Sequence, residues 1–251
     1  AGKSMALVHL GAQAVKEGKT VVHYTLELAD TIVASRYDSC ITGIPLQELF
    51  NKKEEIYDEI KDIPGKLIVK EYPTKSARVE TLRNHLEKLQ QQEISVDMII
   101  VDYGDLLRSN SKNDEKRHQL ESIYEELRGL AQENSCPIWT ASQTNRSGLN
   151  AEVITMEAIS EAFNKCFVAD FIFSISRTIQ HKNSNGGRIF IAKNRNGPDG
   201  LVYPIFMDTA NVKIDVLPQI ETFDEIKKSE VKKQEQSLQE KYKNYRKKRG
   251  N

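Results

Sequence analysis

Apolar positions run along this chain with two different periods, from its start to about residue 218. Met5–Lys16 carries Leu7, Val8, Leu10, Gly11, Ala14 and Val15 at positions that can pack one side of a helix. Val79, Leu82, Leu86 and Leu89 recur at spacings of three and four within Ser76–Gln92, and Leu120, Ile123, Leu127 and Leu130 form one stripe within Glu115–Glu133. Both stretches read as amphipathic helices. Between the helices lie short β-branched or continuous apolar runs: Lys19–Leu26 (KTVVHYTL), Lys66–Glu71, Val96–Asp102 (VDMIIVD) and Pro137–Ser142 (PIWTAS). The run Val96–Asp102 has the composition of a strand buried on both faces. Strand and helix alternate here, which favours a parallel sheet with crossover helices.

The C-terminal part reads differently. Asp170–Ser176, Arg188–Ala192, Leu201–Met207 and Val212–Val216 are strands, and the last three follow one another with short connections, among them Asn196-Gly197-Pro198-Asp199-Gly200. They predict an antiparallel extension of the same sheet. The fold class is therefore α/β, a mostly parallel sheet flanked by helices with antiparallel strands at its C-terminal end. One domain is expected over residues 1–220. Beyond Pro218 the apolar residues thin out, and 221–251 reads as a charged tail, either a solvated helix or a disordered extension.

Composition sharpens this picture in two places. The chain of 251 residues is 39% hydrophobic and 29% charged, enough to bury a core. Lys plus Arg equals Asp plus Glu at 36 each, yet Lys227–Asn251 holds ten basic against three acidic residues, a local excess of +7 that the rest must balance with −7. A basic end is compatible with nucleic-acid contact without establishing it. The three cysteines are widely spaced, with no metal-binding pattern beside them, so neither a disulfide framework nor a zinc site is expected and a reducing compartment is. No apolar run approaches the ~18–20 residues that span a bilayer.

The candidate chemistry sits at strand and helix ends. Gly2-Lys3-Ser4 leads directly into a helix and matches the last part of the phosphate-loop pattern GxxxxGK[ST]. Lys3 would neutralise phosphate charge, Ser4 would hold Mg²⁺, and the helix N-terminus would offer free N–H groups. The first Gly of that pattern and its preceding strand lie outside the sequence, so the chain is expected to be cut inside the loop, to bind nucleotide poorly, and to be less stable than the intact domain. Asp102 ends the run Met98–Val101 at the edge where such sheets bind ligands, and could hold Mg²⁺ through a water or simply serve as a turn residue. Glu27 ends the strand before it, either to deprotonate a water or to begin the next helix. Gln143, after Ile138–Ser142, is either a phosphate-sensing amide or a loop residue. Lys193 and Arg195, two apart at a strand end, suit a pair aimed at a phosphate or an ordinary solvated edge.

Taken together, the segments GKS at 2–4, YTLEL at 24–28, IIVDY at 99–103, ASQTNRS at 141–147 and IAKNRNGPDG at 191–200 resemble the C-terminal, RecA-like ATPase domain of the DnaB-type hexameric replicative DNA helicases. The resemblance covers about residues 1–218 and leans toward the phage members that pair with a primase. The last two segments are the most specific. The resemblance implies ATP and Mg²⁺ as ligands. It implies Gly2, Lys3, Ser4, Arg36 and Asp102 as nucleotide-binding residues, with Ser4 and Asp102 on the metal and Arg36 near the base. It assigns Glu27 as catalytic base and Gln143 as γ-phosphate sensor. Lys193 and Arg195 become a pair reaching the neighbouring subunit's ATP, which requires a ring. It further implies single-stranded or forked DNA as substrate, 5′ to 3′ travel, a homo-hexamer, primase and loader partners, and a cytoplasmic place without a membrane. Ser160–Phe167 occupies the place of a DNA-channel loop but keeps only Glu161 of the bacterial Arg-Glu-Ser-Gly pattern, so Glu161, Lys165 and the polar stretch Arg108–Lys116 are DNA-contact candidates. A recombinase-type filament ATPase and a non-catalytic module with a nucleic-acid-binding tail are the rival readings.

Overall fold

The structure, a computed structural model, describes residues 2–110, 115–144, 152–156, 164–219, 222, 225, 226 and 228. Two four-stranded sheets organise it, one in the order β2-β1-β3-β4 and one in the order β5-β6-β7-β8. The first is all parallel and comprises β1 (Thr20–Thr25), β2 (Lys66–Glu71), β3 (Met98–Asp102) and β4 (Ile138–Thr140). Parallel neighbours need crossovers. These are helices α2 (Asp30–Thr42) and α3 (Lys53–Ile60) between β1 and β2, α4 (Val79–Gln91) before β3, and α5 (Lys116–Glu133) before β4; α1 (Lys3–Lys16) precedes β1.

Side-chain alternation along the central strands sorts the helices into two layers. Val22 and Tyr24 of β1, with Ile99 and Val101 of β3, pack against Leu82, Leu86 and Leu89 of α4 and against Ile123, Leu127 and Leu130 of α5. On the opposite face, Val21 and Ile100 meet Leu7, Ala14 and Val15 of α1, while Val8 and Ala12 join Val33, Tyr37 and Cys40 of α2. The central strands are thus covered on both sides, which is why their sequences read as continuous apolar runs. Close approach of α1 to α2 explains Gly11, where a Cβ would stand 2.1 Å from the Tyr37 hydroxyl.

The second sheet is an antiparallel meander of β5 (Phe171–Ser176), β6 (Gly186–Asn194), β7 (Val202–Asp208) and β8 (Lys213–Val216), with a register shift at Ile172/Phe173. Two short helices, α6 (Lys165–Val168) and α7 (Ile179–Asn183), flank β5. One face of the meander packs Ile205, Met207 and Ile214 on Ala6 of α1. The other gathers Phe190, Ala192, Val202 and Ile226.

One expectation is corrected: the antiparallel strands do not extend the first sheet. Among the described residues no backbone ladder joins β4 to β5. Side chains meet there instead, with the Trp139 ring 6.0 Å from those of Phe171 and Phe173. A cavity of about 820 Å³ opens between the two edges, lined by β4, β5 and the start of α1.

All three cysteines are buried thiols without disulfides. No helix among the described residues is long and apolar enough to cross a membrane. Most of the tail from Lys227 lies outside the described residues.

Candidate nucleotide site

The register of the parallel sheet builds the site. Thr25 pairs with Asp102, so β1 and β3 end level with each other, and the Leu26 N–H donates to the Asp102 carbonyl at 2.9 Å. Glu27 and Asp102 therefore leave the sheet at one carboxyl edge. The N-terminus of α1 points to the same edge. Gly2 caps that helix at φ 115°, a left-handed backbone that glycine adopts at little cost, and places Lys3 and Ser4 in the first turn.

Asp102 is fully buried, and neither carboxylate oxygen completes a hydrogen bond of good geometry. Burial raises its pKa above the usual carboxylate range; the Ser4 hydroxyl, Lys3 and Arg36 pull it back, and Glu27 pushes it further up. Ser4 is thus close enough to temper the carboxylate without satisfying it. Burial likewise lowers the Lys3 ammonium, against the opposing pull of Glu27, Asp102 and Asp105. The five residues Lys3, Ser4, Glu27, Arg36 and Asp102, scattered over the first hundred positions, form one electrostatic cluster. A buried carboxylate left bare is costly, and hard oxygen donors at a helix N-terminus suit a small divalent cation shared with phosphates. Among the described residues no group of three His, Cys, Asp or Glu side chains could hold a metal by itself. One carboxylate and one hydroxyl fit Mg²⁺, which takes its remaining ligands from phosphate and water.

Tyr103 closes the floor of this cluster. Its peptide bond to Asp102 is cis. Lys3 Nζ lies 4.0 Å above its ring, a cation–π contact, and its hydroxyl accepts a hydrogen bond from Gln143 Nε2 at 2.9 Å. The exposed amide of Gln143 is thereby tied to the Lys3 side of the site. β4 is aligned by Thr140, whose hydroxyl donates to the Val101 carbonyl at 2.8 Å and accepts from the Gly104 N–H at 2.8 Å.

Lys193 and Arg195 stand apart from the cluster; neither is among the charges acting on Lys3 or Asp102. They do point the same way. Lys193 Nζ donates to the Cys166 and Phe167 carbonyls at 2.8 and 3.1 Å. Arg195 donates to the Phe167 carbonyl at 2.8 Å and pairs with Asp170 at 2.8 Å, its side chain 44% exposed. Lys165, a DNA-contact candidate by sequence, is placed inward: its side chain is 3% exposed and its ammonium lies 2.9 Å from Asp105 Oδ2. Glu161, the Asn145-Arg146-Ser147 part of the ASQTNRS segment, and residues 111–114 lie outside the described residues.

Sequence reasoning did not single out Tyr103, Asp105 or Ser142. Tyr103 and Ser142 lie within quoted motifs but carried no role. Asp105 meets Lys165 sixty positions away, and no local spacing announces that contact.

A parallel α/β sheet with a lysine and a hydroxyl at a helix N-terminus, facing a buried acid at a strand tip, is the arrangement of a RecA-like α/β fold, whose edge suits phosphate. The model of the DnaB-like helicase C-terminal domain matches residues 1–213, and the chain belongs to that family. It is 30% identical over 190 residues to a DnaB-like replicative helicase of Enterobacteria phage T4, covering 70% of this chain and 40% of that protein. A replicative DNA helicase DnaB of Leifsonia xyli is 24% identical over 234 residues, covering 86% of this chain and 50% of that protein. The chain thus spans half or less of the length of these relatives. Among solved structures, one described as an ATPase domain superposes with a TM-score of 0.71 at 18% identity, over 86% of this chain and 82% of that one. A DnaB-like replicative helicase whose structure was described with its interactions with primase also gives 0.71, at 17% identity, over 86% of this chain and 55% of that one. At such identities the superpositions show the fold.

Proposed function

We propose that the chain is the motor domain of a ring-shaped replicative DNA helicase, hydrolysing ATP at subunit interfaces to move along one DNA strand. The observation that carries this reading is Asp102, a buried carboxylate whose oxygens complete no hydrogen bond of good geometry, at the tip of β3 and flanked by Lys3 and Ser4. ATP phosphates lie at the N-terminus of α1 on Lys3, with Arg36 beside the base. Ser4 and Asp102 would hold Mg²⁺, which would neutralise charge on the phosphates. Glu27 orients the attacking water and takes its proton, and Gln143 senses the γ-phosphate without adding charge. Lys193 and Arg195 reach across to the ATP of the neighbouring subunit and stabilise charge as the γ-phosphoryl group transfers.

The ring this requires is a homo-hexamer, with single-stranded DNA of a fork in its channel and 5′ to 3′ travel on the encircled strand. Primase and a loader are its expected partners, in the cytoplasm of a bacterium or a phage-infected host. Membership of the helicase family supports this over a filament-forming recombinase, and the complete set Lys3, Glu27, Asp102 and Gln143 supports it over a non-catalytic module.

ATP hydrolysis by the full-length protein, with and without single-stranded DNA, tests the reading. Turnover rises with DNA, and Glu27→Gln abolishes it while ATP binding persists. Turnover indifferent to DNA would leave an ATPase of this fold and remove the helicase.

A further inference from the structure

Lys165 and Asp105 form a buried ion pair that the nucleotide cluster does not use directly. Asp105 lies on the 3-10 turn Gly104–Leu106, immediately after Asp102 and Tyr103. Its Oδ1 accepts from the Tyr124 hydroxyl at 2.7 Å, and its Oδ2 accepts from Lys165 at 2.9 Å and from the Ser142 hydroxyl at 3.3 Å. The Lys165 ammonium also sits 5.6 Å from the centre of the Tyr124 ring. Both charges are thus enclosed and partnered, an arrangement that fixes geometry more than it stabilises the fold.

Ser142 precedes Gln143, whose amide is tied to Tyr103 beneath Lys3. A continuous path therefore runs from Lys3 through Tyr103, Gln143, Ser142 and Asp105 to Lys165. Lys165 is the first residue of α6, and the carbonyls of that helix are gripped from the other side. Lys193 holds Cys166 and Phe167, Arg195 holds Phe167, and Arg128 holds Val168. Helix α6 thus joins the side chains around Gln143 to the two cations proposed to act across the subunit boundary.

We infer that Lys165 and Asp105 are a positioning pair, which sets Gln143 through Ser142 and makes ATP turnover depend on where α6 stands. The inference rests on the proposed function, since α6 lies in the stretch assigned to the DNA channel. A shift of α6 that withdraws Lys165 moves Asp105 off Ser142 and releases the amide from its setting. Neither residue is among those proposed to bind the nucleotide.

The test uses the full-length protein and its variants Lys165→Met, Lys165→Arg, Asp105→Asn, Gln143→Ala and Lys165→Met/Gln143→Ala. DNA-stimulated kcat, KM for ATP and the thermal melt are measured for each. Lys165→Met and Asp105→Asn are expected to lower kcat about tenfold or more with KM within about threefold, the pattern of a lost transition-state interaction. Lys165→Arg recovers most of the rate. Because both residues act through one amide, Lys165→Met/Gln143→Ala is no slower than Gln143→Ala alone. Losses that multiply in the double variant, or a Lys165→Met enzyme that turns over normally, would overturn the positioning role. A melt that drops while kcat per folded molecule holds would make the pair structural only and overturn it equally. Wild-type protein whose ATP turnover ignores DNA would instead sink the helicase reading, and the dependence on α6 with it.

Discussion

The parallel sheet and the antiparallel sheet have four strands each, yet they place their charges differently. In the parallel sheet β1 and β3 are buried along almost their whole length, and the chemistry proposed for them is confined to one edge, at Glu27 and Asp102. In the antiparallel sheet buried and partly exposed positions mingle, as in β7, where Val202, Ile205 and Met207 are buried and Phe206 is 40% exposed. There the two cations proposed to act on a neighbour, Lys193 near the end of β6 and Arg195 just beyond it, sit at a strand end where Arg195 is 44% exposed. Burial on both faces leaves a strand only its tip for polar function. A half-covered sheet can present side chains to another molecule. The first arrangement suits a site within one subunit, the second a contribution to a neighbour's.

Substitutions in the two sheets should separate accordingly. The largest effect is expected from Arg195→Ala, which removes a transition-state cation and lowers ATP turnover of the assembled protein by ~10³-fold or more. Its melt should barely move, because an exposed ion pair such as that with Asp170 is worth about 0–1 kcal/mol. Normal turnover in that variant would cancel the role of the antiparallel sheet in catalysis. Next comes Ile100→Ala in fully buried β3, expected to cost about 2–5 kcal/mol in denaturant unfolding. Phe206→Ser, on the half-covered sheet, should cost distinctly less; equal costs would erase the contrast.

A pH effect follows from His23, in the middle of β1. Burial lowers its pKa to about 3, and only Nδ1 has a partner, the Tyr37 hydroxyl at 3.0 Å. The unfolded chain takes up a proton there below the ordinary value of 6.5, whereas the folded chain does not until about pH 3. The stability held by the neutral ring is therefore present above pH 6.5 and lost as pH falls toward 3, at about 1.4 kcal/mol per pH unit. Compared with His23→Gln, the wild-type protein should lose stability more steeply between those limits, and parallel curves would contradict the assignment. The smallest effect is expected at Asp102. Its raised pKa means that folding disfavours the charged form, so Asp102→Asn should raise the melt of the nucleotide-free protein by roughly 2–4 °C for each ~1 kcal/mol relieved. A lowered melt would show that the carboxylate is better satisfied than its burial indicates.

Much of this contrast is legible in the sequence. The stripes Val79–Leu89 and Leu120–Leu130 become the buried faces of α4 and α5, and Lys66–Glu71 is a strand with the bounds its residues suggest. Periodicity speaks where one face is wholly apolar. Helix α2 buries Ser39 among Val33, Tyr37 and Cys40, and α3 buries nothing, so neither gives a stripe to read. The break between β4 and β5 is illegible for another reason, since alternation reports which face a side chain takes and not which backbone edge finds a partner. Of the site, strand tips and the GKS segment point to Lys3, Glu27 and Asp102 without any contact being known. Tyr103 beneath Lys3, and Lys165 on Asp105, depend on tertiary folding across long stretches of chain and leave no local trace.

The proposed active site is shared between the parallel sheet of one subunit and the antiparallel sheet of the next. Mixing two inactive full-length variants, Glu27→Gln and Arg195→Ala, tests it most directly. Where an Arg195→Ala subunit binds ATP beside a Glu27→Gln subunit, the interface regains both groups. Random mixing at equal amounts then restores roughly a quarter of the wild-type interfaces and a measurable DNA-stimulated ATP turnover. A mixed assembly as inactive as either parent would contradict the shared site.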